Sequence, residues 1–248
     1  MPELIFCFIA MSDQANSLLI LLQLADSALP IGSAAHSYGL ETLVFDGEVS
    51  VTHLEEHFRI YLEESGLIEA VYARRAFAIG AATGADSLLT TAPDLPAWLA
   101  LNRELSARKL AREGREASAV LGRRLLRHVL SLEYDQRLRA ALEAADGADI
   151  HHATAFGLIG GVWRLEEEQT VLAFLQQTLT GLVSACQRLM PLGQSRAQSI
   201  IWCLRPTVLE VVRRSATAQE SHALPMFTPL PDVGGMRHPG LPVRLFIS

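Results

Sequence analysis

Between Glu166 and Pro191 the apolar residues Val171, Leu172, Leu175, Leu179, Leu182, Val183, Cys186, Leu189 and Met190 recur at intervals of three and four. This is the period of an α-helix with one buried face, so the segment must pack against further helices. Glu166, Glu167 and Glu168 place carboxylates at its start, where the peptide dipoles favour negative charge. Pro191 and Gly193 end it. The same spacing recurs along the chain and predicts helices over residues 16–27, 36–45, 52–66, from there to 80, 97–131, 134–145, 151–163 and 195–218. Thr52 with Glu55 reads as a capping box, residues 85–96 as a loop, and Pro206 as a kink. Gly157, Gly160 and Gly161 let another backbone approach the 151–163 helix, which puts it at the centre.

Composition agrees with this pattern. Forty leucines and thirty-three alanines stand against fourteen valines and twelve isoleucines, so strands are expected to be scarce. The predicted fold is all-α: a single-domain, multi-helix bundle over residues 16–219 with a proline-rich, partly irregular C-terminal tail over 220–248. Met11-Ser12-Asp13 reads as a translation start, which sets residues 1–15 apart as an extension.

No apolar run reaches the roughly 18 residues of a membrane span, and no Lys or Arg precedes Arg59 to make a signal peptide. Cys7, Cys186 and Cys203 form neither a CxxC pair nor a disulfide framework. A soluble, cytoplasmic protein without disulfides is expected. A hydrophobic fraction of 50% and a mean hydropathy of +0.23 predict that some apolar surface meets another protein chain.

The tail carries Pro225, Pro229, Pro231, Pro239 and Pro242 with Gly234, Gly235 and Gly240, which block a regular helix over most of it. It is nonetheless apolar. Met226, Phe227, Leu230, Val233, Met236, Leu241, Val243, Leu245, Phe246 and Ile247 need a groove, either the chain's own or a partner's.

Net charge is −6, yet Arg103 to Arg127 holds seven Arg and Lys109 against Glu104, Glu113 and Glu116, a local charge of +5. A solvated helix face or an acidic protein partner accounts for it. Nucleic acid is not expected, because the segment has no aromatic residue for base stacking.

Catalytic signatures are sparse. His53-Leu54-Glu55-Glu56-His57 has the H-x-x-E-H spacing of inverted zinc proteases, with two imidazoles one turn apart and Glu56 as a base. A zinc-dependent hydrolase using His53, Glu56 and His57 is therefore the alternative reading, although a third ligand is wanting and Glu133 has no evident reason to approach. Neighbouring His151 and His152 point about 100° apart on a helix and suit a helix start or core role. No phosphate-binding loop, dinucleotide fingerprint or nucleophile elbow occurs.

Three stretches together resemble the UreF family of urease accessory proteins. The first runs from Leu21 through Ala25-Asp26-Ser27-Ala28-Leu29-Pro30-Ile31-Gly32-Ser33 to His36-Ser37-Tyr38-Gly39-Leu40-Glu41. The second is Pro191-Leu192-Gly193-Gln194 with Gln198, and the third runs from Met236-Arg237-His238 through Arg244-Leu245-Phe246-Ile247-Ser248. Ala34 stands where the family commonly has an aromatic, and Pro239 and Pro242 where it has Glu and Tyr.

The resemblance implies an all-α homodimer that is not an enzyme. It bridges the UreD scaffold, also called UreH, and the GTPase UreG, so that nickel reaches apo-urease on GTP hydrolysis. Nickel and GTP are handled by the partner complex, no cofactor is held intrinsically, and the nickel route is a water-filled tunnel. The same resemblance has the tail order on the UreD-type partner, with Met236, Arg237, His238, Leu245 and Phe246 as partner-binding residues. Arg244 corresponds to an arginine whose hydrogen bonds organise the tail for GTPase recruitment, and five fixed donors suit that task. Tyr38 and Glu41 are expected near a shared surface. Pro30, Gly32, Gly39, Pro191, Gly193 and Gln194 are expected to shape the backbone.

Overall fold

The computed structural model describes residues 2–82, 93–218 and 229–247, with side chains from residue 13 onward. The described residues form helices and turns with no strand, as the Leu and Ala excess predicts. The expected residues Met226 and Phe227, and most of the 85–96 loop, lie outside the described residues.

The helices are α1 (Pro2–Leu24), α2 (Leu40–Phe45), α3 (Leu54–Tyr61), α4 (Leu67–Ala81), α5 (Leu95–Arg108), α6 (Arg112–Leu132), α7 (Gln136–Ala144), α8 (His152–Val162), α9 (Glu167–Leu189), α10 (Gln194–Cys203), α11 (Arg205–Ala218) and α12 (Pro229–Arg237). Helix α8 is buried along its whole length and packs against α4, α6, α7 and α9. Its glycines explain the central position. A Cβ on Gly157 would fall on the Ala73 carbonyl, and one on Gly161 on the Phe77 carbonyl, so α4 and α8 touch backbone to backbone. His151 and His152 take the start of α8, both buried, and His152 stands edge-on to Phe156 and Phe174.

Helix α9 follows the periodicity closely. The Glu166 carboxylate accepts from the N–H groups of Glu168 and Gln169 at 3.1 and 2.6 Å, and so caps its first turn. Cys186 on its inner face and exposed Cys203 are both free thiols.

Five expectations need correction. The 97–131 segment is two helices, α5 and α6, parted at Lys109–Ala111 without glycine or proline. The cause is tertiary: Lys109 Nζ reaches Glu69 at 2.5 Å, and Arg115 donates to the Lys109 carbonyl at 3.0 Å. The capping box does not form. His53 is the N-cap of α3, and the Thr52 hydroxyl lies instead 2.9 Å from Ser50 Oγ. Pro206 does not kink one helix; the chain breaks at Leu204, leaving Pro206 second in α11, where its missing N–H has no helical partner to lose. By the same logic Pro229 and Pro231 fall in the first turn of α12, so the tail holds a nine-residue helix where the prolines seemed to forbid one. Between α3 and α4 a π turn over Leu62–Gly66 joins two helices read as distinct.

Among the described residues, no helix is long and apolar enough to cross a membrane.

Candidate functional site

The N-terminal signature is a sequence of tight turns. Gly32 and Gly39 have φ of +86° and +85°, and Tyr38 between them has φ +52°, so two successive left-handed residues turn the chain into α2. Ile31 is fully buried and its carbonyl accepts from Arg124 at 3.2 Å. Pro30 is exposed at the preceding turn. Gly39 has a second role, because α12 rests on it. A Cβ there would lie 2.5 Å from the Pro231 carbonyl oxygen, and one on Gly234 would lie 2.6 Å from the Gly39 oxygen. Only this pair of glycines lets the tail helix seat on α2.

Glu41, in the first turn of α2, is 5% exposed. A carboxylate withdrawn from water to that degree must be met by donors, and among the described residues the tail supplies them. His238 Nε2 lies 2.8 Å from Oε2, the Leu245 N–H donates to Oε1 at 2.5 Å, and the Phe246 N–H donates to Oε2 at 3.2 Å. His238 is fully buried. Phe246 is buried with the Arg188 guanidinium 4.1 Å from its ring centre, and the Ile247 N–H donates to the Ala35 carbonyl at 2.9 Å. Arg237 pairs with Asp46 at 2.9 Å. The tail therefore lies on the chain's own body, α12 against α2, and one carboxylate gathers His238, just past α12, and the amides of Leu245 and Phe246.

This divides the predicted partner-binding residues. Glu41, His238 and Phe246 face inward and hold the tail down. Met236, Arg237, Arg244 and Leu245 are exposed. In this structure the Glu41 carboxylate takes three of the hydrogen bonds that hold the tail. Beside the exposed Arg237 and Arg244 the tail's outer side carries an apolar row: Val243, Leu245 and Ile247, at alternate positions, are 75%, 67% and 71% exposed. Sequence reasoning named Glu41 and the tail but not their union, since His238 lies 197 residues from Glu41.

Tyr38 lies at a different interface, inside the fold. It lines two neighbouring cavities, and burial, followed by the charge of Glu69, holds its phenol well above the usual range. Pro191 and Gly193 lie in the turn between α9 and α10, with Gly193 as the N-cap and Gln194 as the first residue of α10.

The zinc reading gains no support. The Glu56 carboxylate is engaged by Arg59 at 2.5 and 2.9 Å, and His53 Nδ1 lies 3.0 Å from Ser50 Oγ. Among the described residues no three His, Cys, Asp or Glu side chains are grouped to hold a metal. Much of the basic segment is used internally: Arg123 donates to the Ala145 carbonyl at 2.8 Å, and Arg108 and Arg112 pair with Glu104 and Glu116.

The UreF family model matches residues 50–205. A urease accessory protein UreF of Actinobacillus pleuropneumoniae is 32% identical over 232 residues, covering 92% of this chain and 97% of its own. One from Trichodesmium erythraeum is 32% identical over 233 residues, covering 93% and 96%. One from Haemophilus influenzae is 31% identical over 232 residues, covering 92% and 94%. The matches span both the turn that carries Glu41 and most of the helical body, and on them the chain belongs to the UreF family of urease accessory proteins.

Proposed function

We propose that the chain is a non-catalytic maturation chaperone that joins a UreD-type scaffold to the UreG GTPase, so that nickel is inserted into apo-urease on GTP hydrolysis. It works in the cytoplasm as a homodimer. Nickel is cargo here, and GTP turnover belongs to the partner, whose activity the chain modulates by holding it in place.

The observation that carries this reading is the outer side of the tail. An isolated apolar segment in water gains nothing by staying extended, but Glu41 fixes the backbone at Leu245 and Phe246, so Val243, Leu245 and Ile247 are held exposed in one arrangement. Such preorganisation lowers the ordering cost of docking. Met236, Val233 and Leu230 extend the surface along α12.

The test is co-expression with a UreD-type scaffold, followed by light scattering on the eluted complex. The full chain is expected to form a stable complex and a version truncated before Glu220 is not; equal binding by both would overturn the docking role. Arg244→Ala is expected to keep the scaffold complex and weaken capture of the GTPase, and undiminished capture would remove that residue from the bridge.

A further inference from the structure

The tail helix α12 packs on α2 and α6, whereas α10 and α11 pack on α3, α4 and α9, so the outer side of α10 and α11 is a separate face of the molecule. The two helices turn Ala197 and Ile200, and Val208, Val211, Val212 and Ser215, toward the core. Their outer side carries Trp202 and Leu209, which remain 65% and 56% exposed. Tryptophan and arginine are the side chains that most often anchor protein contacts, and here the two occur together.

Trp202 is held in place by its neighbour. The Arg205 guanidinium lies 3.3 Å from its ring centre, and Arg205 Nε donates to the Trp202 carbonyl at 3.1 Å. The stack and the hydrogen bond fix both side chains across the break at Leu204. They also decide what Arg205 can still bind. A guanidinium covered on one flat side by an indole keeps its edge open, and with Nε engaged that edge is the pair of terminal amino groups. The nearest carboxylate on α11, Glu210, is taken by Arg213 at 2.6 and 2.9 Å, and Glu55 lies 3.9 Å from Arg196. Among the described residues Arg205 has no acidic partner. The group that matches a planar fork of this kind is a carboxylate.

The charge of the face points the same way. Residues 194–218 hold four arginines and one glutamate, a local charge of +3 in a chain of net charge −6. Arg205 and Arg213 stand one turn before and one turn after Leu209 on α11. A two-fold contact with the same face of a second copy would set these arginines against one another, so the complement is a different chain that brings acidic groups.

We propose that the outer face of α10 and α11 is a second docking surface, for an acidic amphipathic helix of a partner protein. Its apolar side chains cover Trp202 and Leu209, and one of its carboxylates takes the open edge of Arg205 as a bidentate pair. Stacking holds the guanidinium ready, which lowers the ordering cost of the contact. The surface acts independently of the tail.

The probe is a labelled synthetic peptide of about four helical turns, with leucines along one face and glutamates along the other. It is titrated with the full chain and read by fluorescence anisotropy. Binding is expected to weaken as salt rises, and to be weaker by about tenfold or more for the same peptide with lysine in place of glutamate. Arg205→Gln and Trp202→Ala, both at exposed positions outside the core, are each expected to weaken binding by about tenfold, while circular dichroism confirms that the helical body is retained. Leu245→Asp, in the tail, is expected to bind the peptide as the parent does, and a loss there would return the contact to the tail and overturn the proposal. No binding, equal binding of the two peptides, or binding unchanged in both α10–α11 variants would also overturn it. So would capture of the chain by phosphatidylserine vesicles that is lost with Trp202→Ala, which would assign the face to a membrane surface.

Discussion

At the scale of single residues, charge buried in the fold sets the behaviour. His151 and His152 are both held down to about 4 by burial. Unfolded histidines take up protons below about pH 6.5, whereas these two stay neutral in the fold until near pH 4. The unfolded chain therefore binds more protons across that window, and stability falls as pH drops from 6.5 toward 4. Urea midpoints measured across this range are expected to decline, and His152→Phe, which keeps an aromatic beside Phe156 and Phe174, is expected to shallow the decline. A profile as steep in the variant as in the parent would show that other groups govern it. Glu41 illustrates what a sequence hides at this scale. Its place in the N-terminal signature marked it for attention, but a glutamate in a first helical turn looks like ordinary dipole compensation. Nothing local says that its partners are a histidine and two amides at the far end of the chain.

At the scale of elements, periodicity told where helices run and tertiary contacts decided where they stop. Helix α9 was legible because its stripe, its acidic cap and its proline stop all agree. The α5–α6 break was not, since Lys109 leaves the helix for Glu69 and no residue there is a helix breaker. Helix α12 was masked by its prolines, which are harmless in a first turn. The glycines sort by the same contrast between local and tertiary cause. Gly157→Ala would drive a methyl into the Ala73 backbone of α4, and is expected to cost about 2 kcal/mol or more in denaturant unfolding. Gly181, inside α9 with open space at its Cβ position, is expected to gain up to about 1 kcal/mol on replacement by alanine. Similar effects at the two sites would contradict the backbone contact between α4 and α8.

At the scale of the molecule, a fully buried central helix gives a stable body, and the tail is a separate layer resting on α2 and α6. The all-α class and the family were legible from composition, periodicity and the end motifs. The paired cavities were not, because they arise where Tyr38, Tyr61 and Glu69 converge from distant segments. The apolar excess read from the sequence is spent partly inside and partly on the outer side of the tail. That outer side is the central claim, and Leu245 tests it cleanly: its side chain is exposed while its amide remains bonded to Glu41. The decisive measurement is the affinity of a soluble UreD-type scaffold for the full chain and for Leu245→Asp, by titration calorimetry. The account predicts a loss of about tenfold or more for the variant, as expected for a charge placed in an apolar contact. Equal affinity would contradict it and move the docking surface away from the tail.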